Sequence, residues 1–276
     1  MPEDVRAALR ARFGRQVAGP DVDIDLAAAA LTVAADGRPG LDPAPTMRAL
    51  DGLAGLVRIR LDAGDPADRR LDRLHGVLYR EAGFRGPTPA DAGDPELSFL
   101  DRVVERRRGL PISLAIVELE VAARVGIELH GIGLPGHFIL GAPGGVLIDP
   151  AGGGRRLTPD DCQALLRRTL GEHVLFHAGM LRPIGKRRII ARVLRNLRAA
   201  HLERRDWPAA YGAVSLLEVL EPTDPDHGRD RGLLLGRMGR FSEAVALLGQ
   251  YLEERPDASD SLDVRQVISI FAGRRN

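Results

Sequence analysis

From Val5 to Tyr79 the apolar positions recur every three or four residues, the period of helices with one buried face. Met47, Leu50, Leu53, Leu56, Val57 and Leu61 form one stripe, and Leu71, Leu74, Val77 and Leu78 another. Asp23-Ile24-Asp25 stands before the apolar run at 26–35, where acids suit the positive end of a helix dipole. Breaks rich in Gly, Pro and Asp fall at 37–45, 63–68 and 83–95. Ser98 is read as the cap of a short helix reaching about Arg108. Pro111 then opens a strongly apolar helix over 112–125, at a position where a missing N–H costs nothing. Gly126 closes that helix.

The period then shortens. Segments 129–134, 138–140 and 146–148 are short and apolar, separated by Gly and Pro, and read as strands of a small antiparallel sheet. Residues 141–145 connect two of them as a hairpin. Thr158-Pro159-Asp160-Asp161 opens a helix with a cap, an N1 proline and first-turn acids. From Arg187 onward the helical period returns, with a repeat. Trp207 and Phe241, Ala210 and Ala244, and Pro222 and Pro256 are each 34 residues apart. With Gly232 in the first helix of the second unit, this is the tetratricopeptide pattern. The units span about 191–221 and 225–255; the first has Arg198 where the second has Gly232. Three units are the usual minimum for stability. Two units and a terminal helix over 262–271 are therefore expected to lean on the preceding core.

Composition narrows the function classes. The chain has 276 residues, 44% hydrophobic and 28% charged, with a formal net charge of +1. A globular core is affordable at that length, and the charge balance gives no basic footprint for nucleic acid. The single cysteine, Cys162, precludes an internal disulfide. The acidic start Met1-Pro2-Glu3-Asp4 predicts no signal peptide. No apolar run approaches a membrane span. A cytoplasmic location is the expectation.

One ordered set of residues carries candidate chemistry. Ser113 stands near the start of the helix after Pro111, His137 begins the next strand region, and Asp149 ends the strand after that. A nucleophile at a helix N-terminus, a His base and an orienting Asp are the parts of a relay. A hairpin between His137 and Asp149 would set them side by side. Cys162, in the first turn of the Pro159 helix, is a second candidate nucleophile; packing as a small apolar residue is the competing reading. His173 and His177 have the i, i+4 spacing of a helical zinc pair but no third ligand, so no metal is expected. No motif implies a cofactor.

The quoted segments resemble a known family. Ser98-Phe99-Leu100, Arg102-Val103-Val104-Glu105-Arg106-Arg107, Gly109-Leu110-Pro111-Ile112-Ser113-Leu114, Gly133-Leu134-Pro135-Gly136-His137-Phe138 and Ile148-Asp149-Pro150 with Gly152-Gly153 are similar to the bacterial SirB family. Asp101 departs from a usual Asn, and Ala151 from a usual aromatic. The resemblance, which for the core runs from about Leu71 to Leu166, implies an α+β fold that is mainly helical: a helical N-terminal region plus a transglutaminase-like (papain-like) core with a small antiparallel sheet over 1–183, then an all-α tetratricopeptide tail over 184–276. It gives His137 and Asp149 the second and third places of a Cys–His–Asp triad. No cysteine fills the first; Pro111 and Ser113 stand there. Glu105, Arg106, Arg107, Pro111, Pro135 and Gly136 are implied as pocket or binding residues.

Two functions follow as expectations. One is a catalytically degenerate module that binds a protein or peptide through its groove and repeat tail, without nucleic acid or membrane. The other is a hydrolase or acyltransferase using Ser113 or Cys162 with His137 and Asp149.

Overall fold

The computed structural model describes residues 3–171 and 173–274; the Met1-Pro2 start of the signal-peptide reading lies outside them. Four helices come first: α1 (Glu3–Val17), α2 (Leu26–Gly37), α3 (Ala44–Arg60) and α4 (Ala67–His75), the last continued by a wider turn over Gly76–Glu81. The acid before α2 does what its type predicts: the Asp25 carboxylate accepts the Ala28 N–H at 2.9 Å. Helix α5 (Leu100–Arg106) is shorter than its pattern suggested, and Phe99 rather than Ser98 sits at its cap position. Ser98 instead ends a short turn over Pro95–Ser98. The left-handed Arg107 stops α5. Helix α6 (Pro111–Arg124) starts on Pro111 as expected, and Gly126 follows it with φ +66°.

The sheet has five antiparallel strands in the order β4-β3-β2-β1-β5: β1 (His130–Ile132), β2 (Ile139–Ala142), β3 (Val146–Asp149), β4 (Arg155–Leu157) and β5 (Pro183–Ile184). The outer strands β4 and β5 went unread in the sequence. Each is only two or three residues long, and neither shows the apolar alternation that marks a strand. The β2–β3 register pairs Leu140 with Ile148. Alternation then divides the faces. Phe138, Leu140, Ala142 and Ile148 join the main core with α6, while Ile132, Ile139, Leu147 and Leu157 face α7 (Pro159–Leu170) and bury Cys162 and Leu165. Thr158 caps α7 in a reciprocal box with Asp161.

Five helices follow: α8 (Lys186–Glu203), α9 (Trp207–Leu220), α10 (Asp226–Arg237), α11 (Phe241–Glu254) and α12 (Ser261–Ala272). Trp207 and Phe241 are the first residues of α9 and α11, and Ala210 and Ala244 are fully buried. Gly232 is small for a reason: a Cβ there would lie 2.8 Å from Leu248 Cγ. Phe271 of α12 packs on Phe241, ring centroids 5.5 Å apart. Ile189, Ile190, Leu194 and Leu197 of α8 and Leu216, Leu217 and Leu220 of α9 belong to the same core cluster as α2, α3 and α6. The first repeat is thus built into the core, and the second stacks upon it.

Candidate functional site

His137 is placed by a tight turn. Its N–H donates to Leu134 C=O at 3.1 Å, with Pro135 second and Gly136, at φ +71°, third. That is the residue pattern of a type II turn. Glycine is required twice over at 136, because a Cβ would also meet Thr169 Cγ2 of α7 at 2.3 Å. Pro135 and Gly136 are exposed, and their role on this geometry is to aim His137.

Asp149 ends β3 and turns back through three glycines. Gly154 N–H donates to Asp149 C=O at 3.0 Å, and Gly153 and Gly154 both have positive φ. A Cβ on Gly152 would lie 2.7 Å from Asp149 Oδ2, so the turn can close over the carboxylate only with glycine there. The register sets Asp149 beside β2, and Oδ1 accepts from Ala151 N–H at 3.1 Å and faces His137 Nε2 at 3.0 Å. Burial pushes the Asp149 carboxyl up, but the hydrogen bond and charge of His137, with help from Gly152 N–H and Arg155, hold it below the ordinary value.

Arg192 of α8 locks this arrangement from outside. Its guanidinium donates to Leu134 C=O at 2.9 Å and to His137 C=O at 2.8 Å, and lies over the Phe138 ring. Burial lowers its pKa. Nothing in the sequence pointed to Arg192, which is 55 residues from His137 and stands on α8.

The nucleophile candidates are placed differently. Ser113 is 1% exposed, and its Oγ has no hydrogen-bond partner. It neither bonds His137 nor back-bonds its own helix. Cys162 is fully buried; burial, then Asp161 and Asp149, push its thiol up, and Arg155 opposes them weakly. A raised pKa disfavours the thiolate that a nucleophile needs. His173 and His177 fall in an irregular stretch after α7, so their spacing sets them on no common helix face. Glu221, Asp224 and His227 do converge, with ligand atoms within 4.8 Å of one another. Arg195 engages that Glu221 at 2.6 Å, which makes the cluster part of a polar network linking α8 to α10.

The Glu105–Arg108 run divides by partner. Glu105 pairs with Arg102, Arg106 with Glu96 and Asp94, and Arg108 with Asp91. Arg107 pairs with no carboxylate among the described residues. Asp101, charged where the resemblance has Asn, is neutralised by Arg38.

A second buried His–carboxylate pair was not anticipated. His75 Nε2 lies 2.8 Å from Glu118 Oε1, with Glu118 wholly buried, and Tyr79 Oη donates to Glu118 Oε2. A Cβ on Gly154 would strike both Tyr79 and His75. The glycine turn after Asp149 therefore rests directly on this cluster. Burial, Glu118 and Asp149 push the Tyr79 hydroxyl well above its ordinary value.

Residues 45–195 match the transglutaminase-like superfamily, and residues 197–269 match a tetratricopeptide repeat. The chain belongs to the transglutaminase-like superfamily. It is 32% identical to the UPF0162 protein of Xylella fastidiosa strain 9a5c, over 86% of each chain. It is 38% identical to the UPF0162 protein of Pseudomonas aeruginosa, over 74% of this chain and 76% of that one. F-box only protein 21 of Mus musculus is 31% identical over 46% of this chain and 21% of its own length. No solved structure matches the chain. Among the described residues no helix is long and apolar enough to cross a membrane.

The Asp149 shift has a consequence for stability. A carboxyl held below its unfolded pKa of about 3.9 stabilises fully above that pH, and the contribution disappears as pH falls through the folded value. In His137→Ala the leading lowering interactions vanish and burial dominates, so the Asp149 carboxyl is expected to titrate higher. NMR titration of the Asp149 side-chain carbon measures this directly. An unchanged titration would remove His137 as the cause.

Proposed function

We propose that this transglutaminase-like protein is a non-catalytic module that binds a protein or peptide segment, with the repeat tail supplying partner surface. We also read it as a SirB-family member, on the motifs around Ser113 and His137. The carrying observation is the first triad position: Ser113 Oγ makes no hydrogen bond to the His137–Asp149 pair. A hydroxyl is nearly all protonated at neutral pH and attacks only with a base at hand. The buried Cys162 thiol, with its raised pKa, supports the same reading. Arg192 ties α8 to the His137 turn, so a partner on the helical repeats and the His137 region are mechanically linked. Helical repeats bind through their concave faces. The protein is read as cytoplasmic, free of nucleic acid and membrane.

A second reading has one specific observation in its favour. A buried hydroxyl without a partner is costly and calls for an explanation, and Ser113 is such a group. A substrate-bound rearrangement that brings His137 to Ser113 would make a serine hydrolase or acyltransferase. Incubation with a fluorophosphonate and with iodoacetamide separates the two. The binding reading expects no labelling of Ser113 or Cys162 above that of the denatured-protein control. Labelling of Ser113 that disappears in His137→Ala would overturn it.

A further inference from the structure

A groove of about 410 Å³ runs between α8, the start of α9 and α10, so both repeats build it. Part of its lining is apolar. Leu233 and the Trp207 ring are half-buried there, and Leu202 is 39% exposed beside them. Apolar and aromatic walls with a few placed polar groups are the make-up of binding grooves.

The charged lining is one-sided: Arg198, Arg229 and Arg237 face a single carboxylate, Asp230. Asp230 pairs with two of them, Arg198 and, at 2.9 Å, Arg229. Arg229 is also held by Asp260 at 2.8 Å and Asp226 at 3.5 Å, neither of which lines the groove. Arg229 is therefore a fixed part of the wall, and the sealed Nε of Arg198 takes no part. Arg237 is different. It is exposed, stands in the last turn of α10 and lies 5.8 Å from the Trp207 ring centroid. Among the described residues it makes no ion pair and no hydrogen bond, so its N–H donors are free. The repeat pattern bears on the same groove. The first unit has Arg198 where the second has Gly232. The glycine makes room for Leu248, whereas the arginine reaches across to Asp230 of α10. One repeat uses the position for packing, the other for charge.

We propose, resting on the reading of the tail as partner surface, that this groove binds a segment of a partner protein in which an acidic side chain stands beside a large apolar one. Arg237 donates to the carboxylate, its guanidinium held flat by the indole beneath it. Leu202 and Leu233 take the apolar neighbour. Nucleic acid fits less well, because its binding draws on many phosphate contacts and the groove offers one free cation.

Trp207 is the one tryptophan of the chain, so its emission reports on the groove. The full chain is titrated at matched ionic strength with three probes: a blocked Gly-Asp-Leu-Glu-Phe-Gly peptide, the same peptide with asparagine and glutamine in place of its acids, and poly-uridylate. The acidic peptide is expected to change the Trp207 emission saturably. The amide peptide should bind about tenfold more weakly, the worth of a hydrogen bond to a charged group. Arg237→Gln should lose the same factor by calorimetry while melting near the wild-type temperature. Arg48→Gln, which removes an exposed arginine of α3, should lose nothing. No binding of the acidic peptide, equal binding of the two peptides, an affinity that Arg237→Gln leaves unchanged, or tighter binding of poly-uridylate would each overturn the proposal. So would an emission change with protein concentration alone, which would assign the groove to a second copy of the chain. The two proposals fail separately. Labelling of Ser113 with peptide affinity retained would sink the non-catalytic reading alone. Absent peptide binding with Ser113 unlabelled would sink the acidic-segment groove alone.

Discussion

Replacing Glu118 by alanine is expected to cost about 3 kcal/mol or more of stability, the usual price of breaking a buried pair from one side. The carboxylate is wholly buried and serves two donors, His75 and the Tyr79 hydroxyl. Its removal leaves both polar groups in the core without partners, and each orphan adds a desolvation cost of about 1–3 kcal/mol. Glu118→Gln keeps an acceptor and a similar volume, so it should lose about 1 kcal/mol by the ordinary worth of one hydrogen bond. The effect should extend beyond stability. The glycine turn behind Asp149 packs on His75 and Tyr79 through Gly154, so the Asp149 carboxyl resonances should shift in Glu118→Ala even under conditions where it stays folded. Urea denaturation and side-chain NMR give the two readouts. A loss under about 0.5 kcal/mol, the range of an ordinary surface change, would mean that the cluster carries no structural weight.

What the sequence disclosed and what it hid follow from range. Helices α2, α3 and α6 were legible because a cap, a proline or an apolar stripe acts within a few residues. The type II turn before His137 is just as local, built by Pro135-Gly136, but the resemblance implied those two as pocket residues and not as a turn. The 34-residue repeat survives as spacing because Ala210 and Ala244 meet the same helix crossing in each unit. By contrast, β4 and β5 are paired by neighbours rather than by pattern. Arg192 reaches the His137 turn from a helix that no local rule relates to it. The His75–Glu118 pair spans 43 residues and two helices; its only local sign is a charged residue in the apolar run of α6. The resemblance implies Glu105, Arg106 and Arg107 together as pocket residues, and Arg108 follows them directly. The structure sorts this run residue by residue, because partners on the 91–96 loop reach Arg106 and Arg108 but not Arg107.

Cutting the chain after residue 183 is expected to leave a core that does not fold, although that is where the pattern changes to all-helical. The cut removes Ile189, Ile190, Val193, Leu194, Leu197, Leu216, Leu217 and Leu220, all buried in the cluster that α2, α3 and α6 share. At about 1.5–3 kcal/mol for each large apolar side chain buried, the loss is on the order of 12 kcal/mol or more. That rivals the whole stability of an ordinary domain, about 5–15 kcal/mol. It also frees Leu134 and His137 carbonyls from Arg192. A cut after residue 224 keeps α8 and α9 and should remain folded with a lower melting temperature, since it uncovers Tyr211 and Val214 but spares the shared core. The point substitution Leu217→Ala should lower stability by about 2–5 kcal/mol within one cooperative transition seen alike by far-ultraviolet circular dichroism and by His137 amide protection. A soluble 1–183 fragment with a cooperative melt would show the core to be self-sufficient. Failure of that fragment together with survival of 1–224 would mean that the first repeat is a structural wall of the transglutaminase-like core, leaving the second repeat as the part of the tail free to evolve a partner.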